Sequence, residues 1–109
     1  MSEYSWPERG PDSGARIRAA WEATCRALPV GTLVTGEVVG RQPFGVFLTI
    51  DGVPDAIGLA EIDTMPREAE LPQLGERLHG QVVDHVDHNC QVRIRPTEGA
   101  APKVDGAPS

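Results

Sequence analysis

Alternating hydrophobic and polar residues in the middle of the chain predict short β-strands. A β-branched run over Thr32–Arg41 is interrupted by glycines, and apolar residues alternate along Gly45–Ile50, as expected where one face of a strand is buried. Asp51-Gly52 is a turn dipeptide, and Pro54-Asp55 extends the loop after it. The pattern therefore predicts two antiparallel strands that meet at a glycine-assisted corner, followed by a loop.

Three further strands are predicted downstream. A short third strand near Ala56–Leu59 leads into a helical turn over Ala60–Thr64, and Met65–Pro72 has the prolines and charges of an exposed loop. The fourth strand is predicted over Arg77–Val86 and the fifth over Gln91–Arg95. A closed barrel is a natural arrangement for strands in a chain of 109 residues, because closure removes the unpaired strand edges.

An amphipathic helix is predicted before the barrel, over residues 13–28. The residues that recur there at helical spacing are Ile17, Trp21, Thr24 and Leu28. Pro29 ends the helix and leads directly into the first strand. Since a helix of this length is unstable alone in water, it must pack on something. Two interpretations stay open: the helix closes one end of the barrel, or it covers part of a ligand face or binds a partner.

Both ends of the chain are predicted to be disordered tails. Residues 1–12 contain prolines, glycine and charges without an apolar period, and residues 97–109 are rich in Gly, Ala and Pro. Trp6 is the exception, because its ring either docks on the barrel or stays unattached.

The residues around the corner resemble those of a known family, the S1-type RNA-binding domains. The matching segments are Val30-Gly31, Gly36-Glu37-Val38-Val39, Phe44-Gly45-Val46-Phe47, Gly58-Leu59, Leu74-Gly75-Glu76 and Asp87. The resemblance covers about residues 30–96 and implies the oligonucleotide/oligosaccharide-binding (OB) barrel of that family. The predicted fold is therefore all-β: a five-stranded S1-like OB-fold barrel with one N-terminal α-helix and disordered tails.

The resemblance also implies which aromatic residues face a nucleic acid. Phe44 and Phe47 match the two aromatic positions of the family's corner, where rings stack on bases. Gly45 lies between them and allows the backbone to bend, so both rings can reach one surface. The alternative is that one or both rings fill the hydrophobic core.

The remaining candidate residues are polar. Asp87 matches the acidic residue that the family carries near its last turn, and Gln91 stands at the family's basic position. Arg93 and Arg95 follow Gln91 at a spacing of two residues, which places the three side chains on one strand face. The two arginines are expected to contact phosphate, with Arg41 joining them, although exposed arginines also serve solubility alone.

Two acidic residues depart from the family pattern. Glu61 stands where the family has a histidine, and Asp63 where it usually has a serine. A carboxylate at such a position repels phosphate. The net charge of the chain is −6, and acids also exceed bases within residues 30–96. Any attraction for phosphate must therefore come from a local patch.

Two hypotheses for the function follow. The first is a small module that binds single-stranded RNA with modest, salt-sensitive affinity. The second is a protein-interaction module, immunity-like, inhibitory or adaptor, that binds a basic protein partner through an acidic surface. The residues of that acidic surface are Glu61, Asp63, Glu68, Glu70 and Glu76.

The sequence gives only weak indications of a metal site or of catalysis. The residues that suggest a metal site lack the paired spacing of one, namely His79, His85, Asp87, His88 and Cys90. The sequence also has no activated nucleophile and no phosphate-binding glycine loop. We therefore expect no cofactor, no metal, no small-molecule substrate and no enzymatic activity.

The sequence also bears on location. It has no apolar run long enough to cross a bilayer, and its first residues lack the pattern of a signal peptide. These features predict a cytoplasmic protein without a membrane partner. In that compartment Cys25 and Cys90 are expected to be reduced thiols, with a single disulfide as the less favoured alternative.

Overall fold

A computed structural model describes residues 4–7, 13–65 and 71–97. Five strands within these ranges form a closed barrel in the order β1-β2-β3-β5-β4. The strands are β1 (Leu33–Gln42), β2 (Gly45–Ile50), β3 (Val53–Glu61), β4 (Arg77–Val86) and β5 (Gln91–Pro96). Neighbouring strands are antiparallel except β3 and β5, which are parallel. The predicted fold class, a five-stranded barrel with helical structure before it, is confirmed.

The alternation of the sequence sorts side chains between the inside and the outside of the barrel. Val46, Leu48 and Ile50 of β2 are buried in the interior cluster, whereas Phe47 belongs to a separate cluster on the outer surface. The other strand residues of the interior are Val38, Ala56, Ala60, Val82, Val92 and Ile94. Burial of these apolar side chains provides the main driving force for folding.

The third strand is longer than predicted. Val53 pairs with Ile50 across the two-residue turn, so β3 begins at Val53, whereas the prediction began it near Ala56. The prediction that Pro54-Asp55 belongs to a loop is therefore wrong, because the tight turn brings both residues into the strand. A short 3₁₀ helix over Ile62–Thr64 follows, within the predicted helical turn.

The N-terminal helix is interrupted, although one continuous helix was predicted. It consists of α1 (Ser13–Ala19) and α2 (Trp21–Ala27) with a break at Ala20. Ile17 of α1 packs on the outer cluster beside Phe47, while Trp21 and Leu28 pack with the barrel interior. The two parts of the helix thus occupy different surfaces. The second part closes a barrel end, and the first covers part of the outer face.

The N-terminal segment Tyr4–Pro7 lies against β1, which is the docked one of the two alternatives that the sequence left open for Trp6. The Ser5 N–H donates to the Arg41 carbonyl at 2.7 Å, and the Arg41 N–H donates to the Ser5 carbonyl at 2.7 Å. Pro7 packs on Gly40, where a Cβ atom would lie 2.8 Å from Pro7 Cδ. The remaining predicted tail and loop residues, namely 1–3, 8–12, 66–70 and 98–109, lie outside the described residues.

The helices within the described ranges are too short and too polar to span a lipid bilayer.

Candidate nucleic-acid interface

Three aromatic rings meet where the hairpin of β1 and β2 turns. The ring centroids of Phe44 and Phe47 are 6.0 Å apart in an edge-to-face arrangement. The Trp6 ring lies 6.2 Å from Phe44 and 5.8 Å from Phe47. Centroid distances in this range are typical of favourable aromatic pairs. Phe44, Phe47 and Trp6, which we call the aromatic cluster, therefore form one surface.

Both phenylalanine rings reach that surface because Phe44 lies in the turn between β1 and β2, whereas Phe47 lies within β2. Gly45 has a backbone φ of 155°, and a Cβ atom there would collide with the Ala60 carbonyl oxygen. The backbones of β2 and β3 can therefore approach closely only because this residue is glycine.

The three rings differ in exposure. Trp6 is 61% exposed and Phe44 43% exposed, whereas Phe47 is only 4% exposed. Phe47 lies outside the barrel wall, but Trp6, Val39 and Ile17 pack around it. Phe44 and Trp6 thus offer ring surface to solvent, and Phe47 supports them from below.

A row of outward side chains continues from Phe47 across two more strands. Phe47 pairs with Leu59 of β3, and Leu59 pairs with Arg93 of β5. Neighbouring strands lie about 4.8 Å apart, so β5, which carries Arg93, lies roughly 10 Å from β2, which carries Phe47. The structure thereby brings Arg93 to the same face as the two phenylalanines.

Arg93 is held by the acidic residue at the position where the family has histidine. Its Nη1 donates to Glu61 Oε1 at 2.9 Å, and both side chains are half-buried. Arg93 Nε is shielded from water and has no hydrogen-bond partner among the described residues. A buried donor without a partner costs about 1–3 kcal/mol. The Arg93 side chain as a whole is 32% exposed, so a ligand would reach the guanidinium through its exposed part and not through Nε.

Arg95 and Gln91 also point away from the barrel interior, as the spacing predicted. Arg95 is exposed, and its Nη2 donates to Gln81 Oε1 at 2.9 Å. Gln91 pairs with Val86 at the opposite end of β5. Arg95 therefore lies beyond Arg93, towards the end of the barrel that carries the aromatic cluster. Gln91 lies towards the opposite end.

Asp87 lies with Gln91, near α2 and away from the aromatic cluster. Its carboxylate accepts a hydrogen bond from Trp21 Nε1 at 2.9 Å, and Nε2 of the neighbouring His85 lies 2.7 Å from the Leu28 carbonyl oxygen. Both contacts hold α2 on the barrel. Burial raises the pKa of the Cys25 thiol, and the negative charge of Asp87 raises it further. The geometry thus gives Asp87 a structural contact.

Arg41 is also engaged structurally. The residue is 7% exposed. Its Nε donates to the Pro72 carbonyl at 2.7 Å, and its Nη2 donates to the Leu71 carbonyl at 3.2 Å. The guanidinium thus fastens the end of the loop between β3 and β4 to the barrel, and the geometry does not present it to a ligand.

The residues that suggested a metal site are spread over separate contacts. His79 Nδ1 lies 3.1 Å from Thr35 Oγ1, whereas His85 contacts Leu28. Within the ranges that the structure describes, no three metal-ligating side chains come together.

Comparisons with known proteins support the fold. No protein-family model matches the chain, and no curated protein sequence matches it either. Among solved structures, RNase R of Mycoplasma genitalium in complex with ribose-methylated single-stranded RNA aligns at a TM-score of 0.63 and 15% identity, over 76% of this chain and 15% of that one. Together with the barrel topology, this similarity decides the fold. The domain has an S1-like OB fold.

Two further structures share this S1-like fold. GSP13 of Bacillus subtilis aligns at a TM-score of 0.59 and 21% identity, over 74% of this chain and 65% of that one. A multidomain protein with nucleic acid binding domains from Streptococcus pneumoniae aligns at a TM-score of 0.55 and 13% identity, over 71% of this chain and 28% of that one. The chain therefore spans only part of each of these proteins.

Sequence reasoning missed two features of this face of the S1-like barrel. It left the position of Trp6 open, and it treated Glu61 as a charge that repels phosphate or belongs to an acidic surface, without foreseeing its ion pair with Arg93. The only signal for Trp6 was a large aromatic side chain in a segment with few other apolar residues. The pairing of Glu61 with Arg93 depends on the parallel contact between β3 and β5, which no local pattern reveals.

Proposed function

We propose that this S1-like domain is a binding module, not an enzyme, and that its ligand is single-stranded RNA. The observation that carries the proposal is the exposed ring of Phe44 on the same outer face as Arg93. Single-stranded nucleic acids are bound where aromatic rings stack on bases beside cations that contact the backbone.

The aromatic cluster supplies the stacking surface. Phe44 is exposed while its edge is fixed against Phe47, so little side-chain entropy is lost when a base stacks on it. A stacked base contributes about 1–3 kcal/mol. Phe47 acts through Phe44 and Trp6, which it supports.

Arg93 and Arg95 supply the phosphate contacts. Arg93 is half-buried and pre-oriented by Glu61, and Arg95 is exposed on the same side of β5. Guanidinium groups donate several hydrogen bonds to phosphate oxygens. Because Glu61 neutralises part of the charge of Arg93, we expect modest affinity.

The solved structures that share the fold support this choice of ligand by analogy. The RNase R structure contains single-stranded RNA, and the streptococcal protein is described as having nucleic acid binding domains. Shared fold alone does not determine function, so the proposal depends on the aromatic and arginine residues of this chain.

Fluorescence anisotropy with labelled single-stranded RNA of mixed sequence, at low salt, tests the proposal. We expect binding in the micromolar range and a loss of about tenfold for Phe44→Ala. Val30→Ala is the matched control, because Val30 is an exposed apolar residue between α2 and β1, at the opposite end of β1 from the aromatic cluster. Absence of binding at high micromolar protein, or equal losses for both variants, rejects the proposal.

A basic protein partner is the second candidate. The observation in its favour is that Glu61 and Asp63 flank Ile62, whose N–H donates to the Phe44 carbonyl at 2.8 Å, so carboxylates lie next to an exposed ring. Glu68 and Glu70 of the predicted acidic surface lie outside the described residues. Glu61→His separates the candidates. It should strengthen RNA binding under the first, and it should weaken the complex with a basic protein under the second.

A further inference from the structure

A groove of about 400 Å³ lies beside the aromatic cluster, between the N-terminal segment and the loop before β4. Its walls and floor are formed by Ser5, Trp6, Glu37, Val38, Val39, Leu74 and Gly75. Ligand sites commonly have volumes of roughly 300–1,000 Å³. The groove is therefore large enough for one planar ring system.

Both walls of the groove are fixed to β1. Ser5 is joined to Arg41 by two backbone hydrogen bonds of 2.7 Å, which hold the backbone next to Trp6 on β1. On the other side, the Gly75 N–H donates to the Val38 carbonyl at 2.9 Å, and the Val38 N–H donates to the Glu76 carbonyl at 2.9 Å. A groove with both walls anchored needs little rearrangement to accept a ligand.

Trp6 gives the groove an aromatic wall. Its contacts with Phe44 and Phe47 are tilted, with interplanar angles of 48° and 44°, and 61% of the residue remains exposed. Leu74, also exposed, lines the groove from the loop before β4. A flat base can enter between an indole and an aliphatic side chain, where it is stacked on one side and covered on the other.

Glu37 gives the groove its chemical preference. Its side chain is exposed and forms no ion pair or hydrogen bond with any residue in the described ranges. Arg77, its neighbour in register on β4, pairs with Asp51 instead. The carboxylate is therefore not neutralised, and it repels phosphate and accepts hydrogen bonds only.

Among the RNA bases, guanine suits such a carboxylate best. The Watson–Crick edge of guanine presents two adjacent donors, N1–H and the N2 amino group, to the two oxygens of one carboxylate. The corresponding edges of adenine, cytosine and uracil each place an acceptor beside their donor, which a carboxylate repels. A bidentate contact of this kind discriminates between bases by about 1–3 kcal/mol.

We infer that the groove between Trp6 and Leu74 is a guanine-selective subsite, in which the base stacks on Trp6 and donates two hydrogen bonds to Glu37. This inference rests on the proposed function and specifies the base that the RNA presents next to Phe44. It assigns Trp6 as a stacking residue and Glu37 as the residue that determines specificity.

The test compares oligouridine RNA with the same oligomer carrying one central guanosine or inosine, by fluorescence anisotropy. We expect the guanosine oligomer to bind about tenfold more tightly than oligouridine. The inosine oligomer should lie between them, because inosine keeps N1–H and lacks the amino group. Glu37→Gln should reduce the guanosine preference to within about twofold, since its amide presents one acceptor oxygen and one donor. Glu22→Gln, an equal charge change at an exposed position on α2, should leave the preference unchanged.

Two aromatic variants separate this inference from the proposed function. Phe44→Ala should weaken both oligomers equally, whereas Trp6→Ala should weaken the guanosine oligomer more than oligouridine. If RNA binds but guanosine and uridine oligomers bind equally, or if Glu37→Gln keeps the preference, the inference is overturned and the proposed function stands. If no oligomer binds, both are overturned.

Discussion

At the residue scale, Glu61 and Arg93 form the contact that most distinguishes this barrel from the pattern it resembles. A carboxylate at the position of the family's histidine could only oppose phosphate if it acted alone. In the structure it is 2.9 Å from Arg93 Nη1, so it also fixes the direction of a cation. The pair therefore lowers the attraction of this face for phosphate while keeping a guanidinium ready on it.

Removing the charge of Glu61 should accordingly strengthen RNA binding. We expect Glu61→Gln to raise affinity at low salt by about fivefold, or about 1 kcal/mol, because Arg93 becomes free to contact phosphate. Asp63→Asn is the control, since Asp63 is exposed, two residues away, and has no ion pair with a described residue. Fluorescence-anisotropy titrations measure the RNA affinity of both variants. An equal gain for the two would mean that overall charge matters and the ion pair does not.

Arg41 has a structural role that a stability measurement can test. Arg41→Met keeps most of the side-chain volume but leaves the carbonyls of Leu71 and Pro72 without their donor. We expect a loss of about 2 kcal/mol in the free energy of unfolding, which lowers Tm by roughly 8–16 °C in a domain of this size. Arg18→Met, at an exposed position on α1, should change the free energy by less than about 0.5 kcal/mol. Thermal denaturation followed by circular dichroism measures both, and a neutral Arg41→Met would contradict the assignment.

At the element scale, local patterns predicted strands far better than they predicted what docks on them. The strands β2 and β4 have the predicted bounds, because turn residues flank a clear alternation. The break at Ala20 has no local signal, since alanine favours helix. We attribute it to packing, because α1 follows the outer cluster and α2 follows the barrel end.

The candidate site shows the same division. The strand period put Gln91, Arg93 and Arg95 on one face of their strand, and Gly45 allowed Phe44 and Phe47 to share a surface. That Arg93 faces the same side as Phe47 depends on the parallel contact between β3 and β5, which no local pattern predicts. Arg41 and Trp6 could not be placed either, because burial of the first and docking of the second depend on contacts between residues far apart in the chain. A period in the sequence reports which face a side chain occupies, and it carries no information about an extended segment that later covers that face.

Docking of the N-terminal segment is itself testable through Gly40. Gly40→Ala would place a Cβ atom 2.8 Å from Pro7 Cδ, so Tyr4–Pro7 must move away. The Arg41 N–H, which donates to Ser5, should then exchange with solvent faster, as measured by amide hydrogen exchange. Gly14→Ala is the control, since a Cβ atom there meets open space. If the Arg41 amide exchanges as slowly in Gly40→Ala as in the unaltered protein, Tyr4–Pro7 does not lie against β1.

At the scale of the whole molecule, charge opposes the proposed ligand. The chain carries a net charge of −6, and several arginines of the barrel are already paired or buried. Arg77 pairs with Asp51, and Arg93 with Glu61. Long-range attraction cannot then bring RNA to this surface, and recognition must depend on short-range stacking and a few phosphate contacts.

RNA binding should therefore weaken with salt, as the sequence predicts, but with a slope that reflects only a few phosphate contacts. For single strands the slope of log K against log salt is about −0.7 for each phosphate neutralised, so contacts from Arg93 and Arg95 predict a slope near −1.4. Screening of the repulsion between the acidic domain and RNA makes the observed slope shallower still. Anisotropy titrations between about 30 and 300 mM salt measure it, and Arg95→Gln should reduce its magnitude by about 0.7. A slope steeper than about −3 would require further cations. The candidates would then be the exposed Arg18 and Arg26 of the helices, or Arg9, Arg67 and Lys103, which lie outside the described residues.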